Sequence, residues 1–348
     1  MFAPGLGADR LEAIRPAQSK WVNGTVLHYY FFDRETDGSL IRFADGTSRF
    51  VPWIGAKPQL DVVRRAFETW KDLGIGLEFR EVNDRSEAEI KIGFLFEYDG
   101  SWSAVGRDVL MAGVNTRSMN FGWDLTSSPH GMSTAVHEIG HSIGLSHEHQ
   151  NPFAGIVWDE AKVYQYFAGE PNKWDRDKTF HNVLRKLDPA DVEGSSWDPD
   201  SVMEYAFLPG LIVQPTPYNT TGVHPPGTIS AADKQYVLGW YPTIDKAPLP
   251  LDPFQSVPLS LKPGGQADFE LTPQATRQYE LATFGASDTV MVLFEDVGGE
   301  LRYVAGDDDS GEDRNSHLTA KLFQDRRYVL RIRLYYAWSS GQTAVMYW

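Results

Sequence analysis

Residues 137 to 148 read His-Glu-Ile-Gly-His-Ser-Ile-Gly-Leu-Ser-His-Glu. On a helix, His137 and His141 stand one turn apart and present their imidazoles from one face, the separation that two ligands of a single zinc ion require. Glu138 lies about 100° round the same helix, near enough to hydrogen-bond a zinc-bound water without displacing it. Gly144 supplies the left-handed backbone on which a helix can end, so the chain turns back and delivers His147 as a third donor. Three nitrogens leave a fourth position open, which separates a catalytic zinc from a structural one. The chemistry implied is hydrolysis. Zinc lowers the pKa of its water towards ~7 and polarises a carbonyl, while Glu138 takes the water proton and passes it to the leaving nitrogen.

The pattern is specific. With 9 His, 31 Gly and 47 acidic residues in 348, chance gives roughly 0.03 occurrences of the five-residue core, and about 0.0001 once the glycine and third histidine are required. A solvated or internally hydrogen-bonded histidine cluster is the weaker reading. His149, two residues past His147, is expected to point away from the metal. His28, His130, His181, His224 and His317 are scattered and read as core or surface residues. Neither a phosphate-cradling glycine loop nor a strained serine elbow is found.

The elements that must hold these residues are legible on both sides. Trp21–Phe32 is aromatic and β-branched and reads as a first strand, followed by a hairpin or loop over Glu35–Ser48 with the turn dipeptides Asp37-Gly38 and Asp45-Gly46. Val62, Val63, Ala66, Phe67 and Trp70 recur at helical spacing, with Pro58 suited to the first turn and Gly74 to the stop. Strands are expected over Ile75–Val82 and Glu89–Phe96, the latter alternating, and the motif helix over Met132–Gly144. Short helices are expected over Asp159–Ala168, Asp175–Leu187 and Ser230–Gly239, the last with Ser230 as N-cap and Asp233 three residues on. The proline run through Tyr241–Pro253 marks a linker. Beyond it, seven short strands between Phe269 and Tyr347 suggest a β-sandwich. The fold class is α+β: a twisted sheet with an active-site helix, then an all-β domain. The ranges are an N-terminal arm or propeptide remnant at 1–20, a metallopeptidase domain at 21–245, a linker at 246–253 and a sandwich at 254–348.

The chain resembles the metzincin metalloproteases, whose extended zinc motif matches His137, Glu138, His141, Gly144 and His147. Glu148 is similar to the astacin-type branch. Ser201-Val202-Met203-Glu204-Tyr205 resembles the astacin form of the methionine turn. By this resemblance Met203 forms the apolar floor beneath the three imidazoles, with Gly144 supporting the site. Tyr205 is a candidate fourth zinc ligand that swings away to stabilise the oxyanion. Trp21-x-x-Gly24, Phe67-x-x-Trp70 and Trp102-Ser103-x-Val105-Gly106-Arg107 are similar to astacin-like segments, so the likeness runs from about Trp21 to Pro242. It places an edge strand that pairs with an extended peptide substrate between Ser101 and Asn120. The chain departs from astacins in His149-Gln150-Asn151-Pro152-Phe153 and in lacking disulfides, which makes the resemblance one to a divergent astacin/matrixin-like branch. The C-terminal segment resembles the small β-sandwiches found after bacterial secreted peptidases, and implies secretion. Within it Asp307 and Asp309 are candidate calcium ligands by hard-ligand logic; their spacing does not match the helix–loop–helix calcium loop, and the alternative is a solvated acidic turn.

Composition narrows the partners. The chain has 32 Lys and Arg against 47 Asp and Glu, a net charge of −15, which disfavours nucleic acid and anionic membranes. No apolar stretch approaches the length of a membrane span. With no cysteine, disulfides, thiolate metal sites and a cysteine nucleophile are excluded, so any metal uses nitrogen and oxygen. Residues 1–20 contain Arg10, Glu12, Arg15 and Lys20 and no apolar core, so they do not read as a secretory signal. The reading is a zinc endopeptidase, favoured as a monomer, acting on extended peptide. The alternative is a binding or adhesion protein with a vestigial zinc site and a glycan- or protein-binding sandwich. Glu138 weighs against it, because a structural site has no use for a carboxylate that does not bind metal. A third reading is zinc-dependent hydrolysis of a non-peptide amide.

Overall fold

The computed structural model describes residues 20–348 apart from 22, 44, 128, 171, 190–196, 245–246, 264 and 337–338. The arm expected over 1–20 lies, but for Lys20, outside the described residues. Among those residues the chain divides into two compact units. One holds Trp21, His28–Trp70 and Glu81–Lys234; the other holds residues 23–27, Lys71–Arg80 and Gln235–Trp348.

The elements that carry the motif begin with β1 (Val26–Phe31), the hairpin β2 (Gly38–Arg42) and β3 (Ser48–Pro52), helix α1 (Lys57–Lys71), β4 (Glu78–Glu81) and β5 (Ile90–Phe94). Then come β6 (Trp102–Ser103), β7 (Met119–Phe121) and the motif helix α2 (Gly131–Ser142). The sheet order is β4-β1-β5-β7-β6. β1, β5 and β7 are parallel, with Tyr29 opposite Ile90 and Ile92 opposite Met119, whereas β6 is antiparallel, with Trp102 opposite Asn120. Parallel strands are covered on both faces. Accordingly β5 is buried at every position, including Lys91, which alternation would send to solvent. The Lys91 ammonium lies 3.3 Å from the Ala88 carbonyl, and burial pushes its pKa below the ordinary lysine value.

Helix α1 buries Val62, Val63, Ala66, Phe67 and Trp70. Phe67 stacks on Tyr29 at 4.2 Å, and the Trp70 indole N–H donates to the Val136 carbonyl at 2.9 Å, which ties α1 to α2. Only Glu78–Glu81 of the strand expected at Ile75–Val82 forms. The Lys71 ammonium donates to the Ile75 and Leu77 carbonyls at 3.0 and 3.1 Å, so a side chain takes acceptors that a neighbouring strand would use.

After α2 come β8 (Val157–Trp158), α3 (Glu160–Ala168), α4 (Arg176–Thr179), β9 (Ile212–Gln214), α5 (Tyr218–Thr221) and α6 (Ala231–Trp240). They enclose a core that includes Ile156, Val163, Phe167, Val183 and Phe207, with Tyr205 packed against it. The helix expected to run to Leu187 stops at Thr179 and widens into a π-turn over Phe180–Leu184. Its carbonyls have other partners: Gln150 Nε2 donates to His181 and Arg185, and His149 Nε2 to Asn182. The turn thereby holds the segment just past the third histidine.

The C-terminal strands are β10 (Leu249–Pro250), β11 (Val257–Leu261), β12 (Gln266–Leu271), β13 (Arg277–Phe284), β14 (Thr289–Val297), β15 (Glu300–Asp307), β16 (His317–Leu322), β17 (Tyr328–Leu334) and β18 (Gly341–Tyr347). They form two sheets, β10-β12-β17-β14-β15 and β11-β18-β13-β16. The shared core includes Leu251, Phe269, Leu281, Leu293, Leu330 and Tyr347. This is the β-sandwich. Within the stretch read as linker, Leu249 and Pro250 pair in parallel with Phe269 and Glu270 at a sheet edge, the place where a strand tolerates proline. Among the described residues no helix is long and apolar enough to cross a membrane.

Candidate metal centre

Helix α2 ends as its glycine requires. The Leu145 amide donates to the Gly140 carbonyl at 3.0 Å and the Gly144 amide to His141 at 2.8 Å, the paired bonds of a Schellman motif, with Gly144 at φ 107°. The reversal returns His147 to the face that carries His137 and His141. The His137 and His141 rings are 4.7 Å apart between centroids, His141 and His147 4.6 Å, and a ring nitrogen from each lies within 4.8 Å of the others.

The remaining nitrogens fix the tautomers. His137 Nδ1 lies 2.7 Å from the Val202 carbonyl and His141 Nδ1 lies 2.8 Å from the Leu145 carbonyl. A carbonyl only accepts, so each Nδ1 bears the proton and each Nε2 offers a lone pair. His141 Nε2 and His147 Nε2 are 3.0 Å apart. Tetrahedral zinc with bonds of about 2.05 Å sets its ligand atoms about 3.3 Å apart, so this separation suits two donors of one ion. Burial pushes His137 down to about 4 and His141 to about 3, and His147 well below its ordinary value, which keeps the rings neutral as ligands must be. Zinc fits this donor set.

Glu138, on the same helix, is buried, and its Oε2 has no hydrogen-bond partner among the described residues. Burial pushes its carboxyl up to about 8. A divalent cation beside it would pull that value down again and restore a base. Tyr205 lies against the cluster, its ring 4.4 Å from His147 and 5.9 Å from His137. Burial, then the charges of Glu138 and Glu204, raise its phenol above the ordinary tyrosine range and keep it a hydrogen-bond donor.

Met203 packs under α2. A Cβ on Gly140 would come within 2.5 Å of Met203 Sδ and 3.2 Å of Trp70 Cζ2. Gly140→Ala gains about 1 kcal/mol of helix propensity and incurs an overpacking penalty of about 1–3 kcal/mol. A net loss of up to about 2 kcal/mol is expected, read as a lower urea midpoint at unchanged slope. A raised midpoint would mean that the thioether moves aside freely and leaves the propensity gain unopposed.

Asp233, which the sequence marks only as a helix-capping residue, does more than cap α6. It and Ser230 exchange the reciprocal bonds of an N-terminal cap, both at 2.9 Å. Its carboxylate also accepts from Ser201 Oγ at 2.6 Å and the Val202 amide at 2.9 Å. Val202 therefore hangs between Asp233 and His137, and one buried carboxylate orients a ligand through a single residue. Nothing in residue spacing reveals this, since Ser201 and Asp233 are far apart in sequence. Glu148, one residue past His147, is pushed up to about 7 by burial and accepts from the Asp198 amide at 3.3 Å. His149 turns its nitrogens to other groups, Nε2 to the Asn182 carbonyl and Nδ1 towards Glu204, and does not join the cluster.

The remaining candidates lie elsewhere. Asp307, Asp308 and Asp309 bring carboxylate oxygens within 4.8 Å of one another. Asp307 accepts from the Ser310 hydroxyl and amide and from the His317 amide, bonds that hold the turn. A cavity of about 460 Å³ lined by Lys57, Asp61, Arg65, Leu125 and Met132 shares no residue with the histidine cluster.

Residues 49–154 match the family model of the matrixin peptidases, a span that runs from β3 through the third histidine. A solved structure of myroilysin is 28% identical, covers 66% of this chain and 97% of its own, and gives a TM-score of 0.54. A second myroilysin structure is 26% identical over 67% of this chain and 93% of its own, at a TM-score of 0.45. The pre-peptidase C-terminal domain of a Bacillus anthracis collagenase is 13% identical over 30% of this chain and 100% of its own, at a TM-score of 0.23. No curated protein matches the chain. The matrixin segment and the first myroilysin likeness, with three converging imidazoles, support a metalloprotease of the metzincin type.

Proposed function

We propose that the chain is a zinc endopeptidase that hydrolyses peptide bonds with water. The observation that carries this reading is the pairing of three carbonyl-pinned or converging imidazoles with a buried, unpartnered Glu138 oxygen. His137, His141 and His147 would hold zinc, which when bound supplies a Lewis acid and a more acidic water. Glu138 accepts a proton from the attacking water as the C–O bond forms, then delivers it to the amide nitrogen as the C–N bond breaks. Tyr205 donates a hydrogen bond to the oxygen that gains charge, and Met203 supports the rings from below. The antiparallel β6, Trp102–Ser103, is the edge on which an extended peptide would add as a further strand.

This reading places the peptidase at 21–245 and a supporting sandwich at 254–348, acting outside the cell on unstructured protein. Calcium at Asp307 and Asp309 belongs to the same proposal. The first test is cleavage of casein. If the protein cleaves no member of a broad peptide library, hydrolysis of a non-peptide amide becomes the better reading. Tyr205→Phe is expected to lower kcat by about 100-fold, the cost of one oxyanion donor, with zinc affinity nearly unchanged in chelator competition. A large loss of zinc would instead make the phenol an essential ligand.

A further inference from the structure

Below the histidine cluster lies a pair that the hydrolytic reading does not use. His149 is 0% exposed and Glu204 4%. His149 Nδ1 lies 3.2 Å from Glu204 Oε1. The opposite edge of the ring is anchored, since Nε2 donates to the Asn182 carbonyl at 2.8 Å. Glu204 accepts from the Tyr205 amide at 2.8 Å through Oε1 and from the Trp197 indole N–H at 2.5 Å through Oε2.

Nε2 is bonded to Asn182, while Nδ1 faces Glu204 without a hydrogen bond, so one edge anchors the ring and its faces become walls. One stacks on His147 at 5.2 Å and 19°, and Tyr205 lies 4.8 Å away at 36°. Phe207 packs edge-on at 5.1 Å and Trp158 at 6.3 Å. Glu204 stands between Met203 and Tyr205 in the chain, so one carboxylate grips the Tyr205 backbone while its partner ring bears on the Tyr205 side chain. Burying such a carboxylate is costly, and apolar packing alone would fill the space.

We propose that Glu204 and His149 form a positioning pair that acts through Tyr205, holding its phenol beside the three imidazoles. The proposal rests on the peptidase reading of the site and deepens it. Neither residue is a ligand or a proton carrier in this account.

The test is a double-mutant cycle. His149→Phe keeps an aromatic ring and removes both polar edges. It is expected to lower kcat on a casein-derived peptide by about tenfold, with KM within about twofold. In a Tyr205→Phe background the same change should lower kcat by less than about twofold, because the group it acts through is gone. Aromatic NMR of ring-labelled tyrosine gives a second readout in the metal-free protein. The Tyr205 signal, assigned by its loss in Tyr205→Phe, should report a faster ring flip in His149→Phe while the other tyrosines are unchanged. Equal losses of kcat in both backgrounds, or an unchanged Tyr205 ring-flip rate, would overturn the proposal. If His149→Phe does not fold, His149→Gln, which keeps an N–H for Asn182, runs through the same cycle. If the wild type cleaves no peptide, the peptidase reading fails and the Tyr205 ring-flip rates still decide the positioning role.

Discussion

Glu138→Ala is expected to lower casein cleavage by about 10²–10⁴-fold, the usual contribution of a positioned general base, while the purified variant retains zinc. The two halves of this result come from separate parts of α2. The ligands His137 and His141 keep their carbonyl partners at Val202 and Leu145, which the substitution does not touch. The carboxylate lost is the one whose Oε2 has no partner among the described residues. Equal cleavage by both proteins would remove Glu138 from the reaction. Loss of zinc along with activity would show instead that the carboxylate holds the metal.

The second large effect should follow from stripping the metal with a chelator: cleavage is abolished and returns on adding zinc. Binding at a concentration 1,000 times Kd stabilises a protein by about 4 kcal/mol, so the metal-free form should unfold at a clearly lower temperature. Its pH dependence has a definite sign. His137 and His141 are lowered from 6.5 to about 4 and about 3 by burial, so the stability they contribute is present above 6.5 and lost as pH falls through those values. Glu138 is raised from 4.5 to about 8, so its contribution is present below 4.5 and lost as pH rises through about 8. Metal-free protein should therefore lose stability in both directions from a mid-range maximum. With zinc the alkaline loss should shrink, because the cation stabilises the carboxylate. A flat profile for the metal-free form would contradict the buried, unpartnered state of these groups.

Much of this site was legible in the chain because its signals are local. His137, Glu138 and His141 share one helix, and Gly144 must end it, so helical periodicity and one backbone conformation suffice to place them. Strands β12–β18 of the sandwich also follow from short-range alternation and turns, whereas β10 and β11 are not among the strands expected. What was not legible depends on distant partners. Asp233 reads as a capping residue until the fold sets Ser201 and Val202 against it. The early end of α4 at Thr179 has no local cause: the carbonyls of His181, Asn182 and Arg185 are used by His149 and Gln150. Lys91 breaks the expected alternation because β5 is covered on both faces, a property of the sheet and not of the segment. The proline run at 241–253 contains a pairing strand at Leu249–Pro250, since an edge position asks for no N–H at residue 250.

The depth of Met203 bears on how the protein would age in an oxidising medium. The chain has no thiol, Met203 is 1% exposed, and Met111 is 67% exposed. Among the described methionines peroxide would meet Met111 first, where a sulfoxide simply faces water. The same oxygen atom on Met203 would press a polar group against Gly140, so depth alone guards the sulfur beneath the imidazoles.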